Sequence, residues 1–190
     1  MRSIAANSNT SPSLYSPNTV GEIVSGRHNL SFFEDDYLKI ILPLLQESDM
    51  PAAGVLDENG RLSGLLTERC ILRHIFARNT DKLINARNVK KYLDDMLVTD
   101  TMIHKQETLD DNMSIEDATT LMLRRGYRFM PVVSRFDRKH FLGIVGEREL
   151  AAHLQKQVEQ LKKSEKTQQS ILSYMLREPY CSGGSFETSA

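Results

Sequence analysis

Apolar positions follow the same order twice along this chain. In the first stretch, residues 52–56 form a short apolar run and residues 62–66 a second one. Between them Asp57-Glu58-Asn59-Gly60 carries the Asn-Gly signal of a tight hairpin. Cys70, Ile71, His74 and Ile75 then fall at helical spacing, and Thr67 is placed to cap that helix. In the second stretch, residues 129–133 and 141–145 are predicted strands joined by a charged turn, and a helical pattern opens at Glu147. Gly54-Val55-Leu56-Asp57 is echoed by Pro131-Val132-Val133-Ser134, and Leu62-Ser63-Gly64-Leu65-Leu66-Thr67 by Phe141-Leu142-Gly143-Ile144-Val145-Gly146. A unit of this size does not bury its apolar face alone, whereas two copies cover each other. A cleft between them is a natural ligand site.

The flanking segments extend the pattern. Residues 1–19 are rich in Ser, Asn, Thr and Pro and predict a disordered arm. A short extended piece is expected over residues 20–24. Ser31 and Glu34 have capping-box spacing, and Tyr37, Ile40, Ile41, Leu44 and Leu45 follow at helical spacing. Pro43 lies inside that pattern and predicts a kink or an early stop. Residues 77–95 are charged, with sparse apolar positions, and suit a linker with helical content. Residues 98–102 predict a second extended piece. Ser114 with Asp117 opens an amphipathic helix through Ile115, Ala118, Leu121, Met122 and Arg125, which Gly126 ends. From Glu147 to about residue 177 nothing breaks a helix. Leu154, Val158, Leu161, Leu172 and Met175 form a weak heptad stripe that Glu165 and Gln168 interrupt.

The chain has 190 residues, a formal net charge of -1, 40% hydrophobic and 26% charged residues. That balance suits one domain or a tight pair, and it supplies no global basic field for nucleic acid. No apolar run reaches the roughly 18 residues that span a bilayer. Polar residues follow Arg2, so no secretory signal is expected, and the cytoplasm is the expected location. Cys70 and Cys181 carry neither a disulfide framework nor metal-ligand spacing. His28, His74, His104, His140 and His153 show no metal spacing and no catalytic constellation, so a non-catalytic module is expected. The methionines at 96, 102, 113, 122 and 130 suit a core.

The second copy carries the family signature most clearly. It runs Val98-Thr99-Asp100-Thr101-Met102, then Met113-Ser114-Ile115-Glu116-Asp117-Ala118, then Arg125-Gly126-Tyr127-Arg128-Phe129-Met130-Pro131-Val132-Val133, then Leu142-Gly143-Ile144-Val145. In order and spacing this resembles the cystathionine-β-synthase (CBS) domain, which usually occurs as a tandem pair. The first copy matches mainly over residues 53–72, and the resemblance covers roughly residues 20–153. It implies an α+β fold of two β-α-β-β-α repeats packed with pseudo-twofold symmetry, followed here by the long C-terminal helix. The expected divisions are an arm at 1–19, repeats at 20–78 and 98–153 around a linker at 79–97, a helix at 154–177 and a flexible tail at 178–190. The resemblance also implies AMP, ADP or ATP in the clefts between the repeats, with or without magnesium, and a disc-like homodimer.

The family's ribose-phosphate motif is Gly, apolar, any residue, Ser or Thr, two of any kind, then Asp. A hydroxyl at a helix N-terminus meets phosphate beside backbone amides, and the carboxylate takes the ribose hydroxyls. The first copy has Gly64-Leu65-Leu66-Thr67-Glu68-Arg69-Cys70, which keeps the hydroxyl and replaces Asp by a thiol, a poor acceptor for a diol. The second has Gly143-Ile144-Val145-Gly146-Glu147-Arg148-Glu149, which loses the hydroxyl and places Glu at the carboxylate position. The resemblance assigns candidate nucleotide contacts to Thr67, Gly146, Arg148 and Glu149, to Arg128 just before the second-copy strand, and to Thr101. Arg124 and Arg125 lie near Arg128 in sequence. Thr67 serves equally as a plain helix cap, and Arg128 as a solvated cation at a helix end. Two functions follow: a sensor relaying an adenosine nucleotide to a partner protein, or a ligand-free dimerisation scaffold with degenerated motifs.

Overall fold

The computed structural model describes residues 15–48, 50–78 and 86–175. Most of the expected arm, the tail with Cys181 and residues 79–85 lie outside them. Two sheets form. The first has the order β1 (Ser31–Phe33), β2 (Ala52–Leu56), β3 (Leu62–Thr67), β4 (Ile103–His104), and the second the order β5 (Leu109–Asp110), β6 (Phe129–Ser134), β7 (Asp137–Gly146). In each, a parallel pair precedes an antiparallel hairpin. The helices are α1 (Val20–Ser25), α2 (Leu38–Glu47), α3 (Glu68–Arg78), α4 (Ala86–Asp95), α5 (Ile115–Arg125) and α6 (Glu147–Met175).

The two hairpins stand where the apolar runs place them. Asp57 organises the first turn, its Oδ1 accepting from the amides of Asn59 and Arg61, both at 2.9 Å. Gly60 takes the left-handed conformation there, with φ of 73°. In the second hairpin Ser134 pairs with Asp137, so the charged turn shrinks to Arg135 and Phe136. Helix α5 is capped as its sequence predicts. The Ser114 hydroxyl accepts from the Asp117 amide at 3.0 Å, and Gly126 ends the helix in the left-handed region.

Four local expectations need correction. Residues 20–24 form helix α1, because Val20, Ile23 and Val24 share one buried face. Ser31 belongs to strand β1 and caps nothing; the Glu34 carboxylate accepts from the Ser63 hydroxyl instead. Helix α2 continues through Pro43 to Glu47, and the Met96 carbonyl accepts from the Leu38 amide at its start at 2.9 Å. Its apolar face buries Leu38, Ile41 and Leu45, which offsets the lost hydrogen bond. Residues 98–100 form a 3₁₀ turn instead of an extended piece. The Val98 carbonyl accepts from the amides of Thr101 and Met102, both at 3.0 Å, and Asp100 Oδ2 accepts from the Leu97 amide at 3.0 Å.

Each sheet borrows from the other end of the sequence. The first core gathers Phe32, Leu38, Val55, Leu66 and Ile71 with Met96, Val98 and Met102 from beyond the linker. Reciprocally, α1 packs against β5, β6 and β7, with the amides of Val20 and Gly21 donating to the carbonyls of Met113 (3.0 Å) and Asp111 (2.9 Å). Between the sheets Ala52, Leu65 and Ile144 pack together with Met50, Phe129 and Phe141. In the sequence echo Ala52 matches Phe129 and Leu65 matches Ile144, so equivalent positions meet across the interface. The Phe141 ring lies 2.5 Å from where a Cβ on Gly54 would stand.

The chain divides into two compact units at Ala151, within helix α6. Val158 and Leu161, two positions of the weak heptad stripe, are exposed. The side chains of Leu172 and Met175 lie outside the described residues.

Replacing Gly54 by Val forces the Phe141 ring away. Thermal unfolding is expected to show a loss of about 1–3 kcal/mol, or about 2–4 °C for each kcal/mol. Gly26→Ala, where a Cβ meets nothing within 4 Å, should leave the midpoint unchanged.

Candidate functional site

Two clefts flank the inter-sheet contact, and each is lined by one of the two motif turns. The first, about 660 Å³, lies beside Gly146, Glu147, Arg148 and Glu149. The second, about 620 Å³, lies beside Thr67, Glu68, Arg69 and Cys70. Pro51, Arg128 and Phe129 line both. The clefts are thus related as the repeats are, with the Phe129 ring between them.

Their chemistry differs. In the 660 Å³ cleft, the Glu149 carboxylate already has partners: it accepts from the Gly146 amide at 3.0 Å and is ion-paired with Arg27. The Arg27 guanidinium also donates to the Ile144 carbonyl and, through Nε, to Asn29 Oδ1 at 3.3 Å. Burial lowers the Arg27 pKa to about 10, which leaves it charged at neutral pH. Asn29 Oδ1 accepts from the Ile144 amide at 3.4 Å, while its Nδ2 donates to the Val24 carbonyl at 2.8 Å.

Comparison of the two sheets explains this cluster. In the first sheet β4 covers the edge of β3, with Leu65 opposite Ile103. In the second sheet β7 has no such strand among the described residues. Ile144, the equivalent of Leu65, has its carbonyl and amide bonded by the side chains of Arg27 and Asn29. Gly143 is needed for the approach, since a Cβ there would meet the Asn29 amide group at 2.4–2.7 Å. At Gly146, where the motif hydroxyl is missing, a Cβ would make a tight contact 3.2 Å from the Phe129 ring.

The 620 Å³ cleft keeps its hydroxyl. Thr67 Oγ1 accepts from the Cys70 amide at 3.2 Å and lies 2.9 Å from Cys70 Sγ, so Thr67 does cap α3. Leu65, Ile103, Tyr127 and Phe129 supply apolar wall. Arg69, Arg73, Lys105 and Arg128 bring four cations to this cleft against the single carboxylate of Glu68. The other cleft balances Arg27, Arg128 and Arg148 against Glu47, Glu147 and Glu149.

The structure therefore brings Arg128, Gly146, Arg148 and Glu149 to one cleft and Thr67 with Arg128 to the other. Arg128 is largely exposed, with its Nε 3.8 Å from Glu147. Thr101 lines neither cleft; it is buried, and its hydroxyl donates to the Val98 carbonyl at 3.2 Å. Arg124 and Arg125 also line neither, and Arg125 pairs with Glu107 at 3.1 Å. Sequence reasoning missed Arg27, Asn29, Arg73 and Lys105. Arg73 could have been found four residues after Arg69 on one helical face. Arg27 and Asn29 act on residues more than a hundred positions away, which no local pattern reveals.

The family model of the CBS domain matches residues 20–77 and 98–156. The chain belongs to the CBS-domain family. As a tandem CBS pair it is similar to the protein MJ1426 of Methanocaldococcus jannaschii, 26% identical over 133 residues, 60% of this chain and 78% of that protein. Among solved structures, CBSX2 of Arabidopsis thaliana in complex with AMP superposes with a TM-score of 0.56 at 23% identity, over 73% of this chain and 98% of that one. The CBS domain pair of protein MJ0100, in complex with 5′-methylthioadenosine and S-adenosyl-L-methionine, gives 0.55 at 16% identity, over 73% and 97%. At these identities the likenesses show the fold. No helix among the described residues is long and apolar enough to cross a membrane, and no cluster of His, Cys, Asp and Glu among them could hold a metal ion.

Thr67→Val removes the α3 cap and is expected to cost about 1 kcal/mol in urea unfolding, within the range of 0.5–2 kcal/mol for such caps. Thr67→Ser, which keeps the oxygen, should retain most of the stability.

Proposed function

We propose that this CBS pair is a non-catalytic regulatory module that binds an adenosine nucleotide between its repeats and relays occupancy to a partner protein. The observation that carries this reading is the position of the two motif turns, each lining a cleft of nucleotide size at the inter-repeat contact. AMP in the CBSX2 structure and the adenosyl ligands in the MJ0100 structure support the ligand class. In the 620 Å³ cleft the Tyr127 and Phe129 rings offer faces for a base, while Thr67 and the α3 N-terminus meet phosphate together with Arg128. A ligand touching both repeats shifts their packing only as far as its affinity differs between the two arrangements. In the 660 Å³ cleft, Gly146, Arg148 and Glu149 would meet a nucleotide only in competition with the Arg27 pair.

A thermal-shift screen with AMP, ADP, ATP and S-adenosylmethionine, with and without magnesium, tests the reading. A ligand at 100 times its dissociation constant adds about 2.7 kcal/mol, a shift of several degrees. Arg128→Ala is expected to weaken nucleotide binding about tenfold or more, as loss of a charge-assisted hydrogen bond does. No shift with any ligand at millimolar concentration contradicts the sensor.

A second reading rests on α6, where Val158 and Leu161 are exposed on the heptad stripe. In it the chain is a homodimeric scaffold joined through that helix, without ligand. Removing residues 154–190 should then turn a dimer into a monomer in light scattering; a truncated chain that stays dimeric excludes this contact.

A further inference from the structure

The cations of the 620 Å³ cleft exceed what a monophosphate needs. Arg69 and Arg73 stand four residues apart on the exposed face of α3, where like charges repel. Lys105 follows β4 with φ of 53°, the left-handed region that is costly for a lysine, and it projects from the turn that leaves this cleft's edge strand. Among the described residues no ion pair engages Arg69, Arg73 or Lys105. The fourth cation, Arg128, has only the 3.8 Å contact of its Nε with Glu147. The contrast lies within the same molecule. The equivalent cleft matches its three cations with three carboxylates in number, and its Glu149 carboxylate is held by Arg27. A cleft that gathers four cations on three separate elements against one lining carboxylate suits a ligand that supplies several negative charges at once.

We propose that the 620 Å³ cleft is a polyphosphate site, with Arg69, Arg73 and Lys105 as phosphate-binding residues. The chain accordingly takes one nucleoside di- or triphosphate in preference to a monophosphate, and takes it in this cleft alone. The four cations provide the counter-charge that magnesium supplies in other polyphosphate sites, so binding persists in EDTA. The nucleoside half of this statement rests on the adenosine reading above; the polyphosphate half does not.

Isothermal titration of the full chain in EDTA with AMP, ADP, ATP and inorganic tripolyphosphate separates the two. ATP is expected to bind about tenfold or more tighter than AMP, with one site per chain, and tripolyphosphate to displace it. Arg73→Met and Lys105→Met are exposed substitutions whose folding is checked by the unliganded melting temperature. Each should weaken ATP about fivefold and leave AMP within about twofold, and the double variant should bring the ATP-to-AMP ratio close to one. Equal affinity for ATP and AMP in the natural chain, or an unchanged ratio in the double variant, overturns the polyphosphate site and leaves the adenosine reading standing. Binding of tripolyphosphate without any of the adenosine nucleotides leaves this site standing and removes the adenosine reading. Binding of none of the four removes both.

Discussion

An exposed strand edge must be satisfied, and here the outer edge of β3 and, at Ile144, that of β7 are met by the leading segment of the other repeat. Unpaired amides and carbonyls at a sheet edge are costly when buried and invite aggregation when exposed. Strand β3 is covered by β4, which arrives only after the linker. Strand β7 is covered at Ile144 by Arg27 and Asn29, which belong to the leading segment of the first repeat. The cores follow the same exchange, with Met96, Val98 and Met102 in the first and Val20 and Val24 against the second. Neither repeat is therefore complete without the other's leading segment. The fixed contact between the sheets, built on Ala52, Leu65, Ile144 and Phe129, is a consequence of that exchange.

The same exchange makes the clefts unequal. Covering one edge with a strand leaves Thr67 and the start of α3 facing a cleft whose far side is backbone and the Lys105 turn. Covering the other with an arginine delivers a cation beside Glu149 and closes an ion pair there. A ribose that sought Glu149 would have to replace a charge-assisted partner in a part-buried pair. Asymmetry of charge thus grows out of asymmetry of edge protection. Phe129 adds to it, since it lines both clefts and its ring stands 3.2 Å from where a Cβ on Gly146 would be.

Much of this was legible in the sequence where the signal was local. The hairpins announced themselves through short apolar runs around Asn59-Gly60, and α5 through Ser114 and Gly126. The echo of the two motif turns located both clefts through Gly64 to Cys70 and Gly143 to Glu149. Elements whose fate is set by distant contacts were misjudged. Three apolar residues within 20–24 fit a strand as well as a helix until the surface of the second sheet is supplied. The Ser31 to Glu34 spacing imitates a cap, but Glu34 bonds Ser63 across the sheet. Thr101 stands inside a signature, is buried, and its hydroxyl donates to the Val98 carbonyl of its own turn. Arg27 and Lys105 carry no motif at all, because one acts through a residue 117 positions away and the other through a backbone conformation.

Hydrogen exchange of the Arg27→Ala, Asn29→Ala double variant tests the exchange of leading segments most directly. The account predicts faster amide exchange in β7 around Ile144, over a hundred residues from the substitutions, with β3 around Leu65 still protected by β4. Unchanged protection of β7, or faster exchange confined to the neighbourhood of residues 27 and 29, would contradict it.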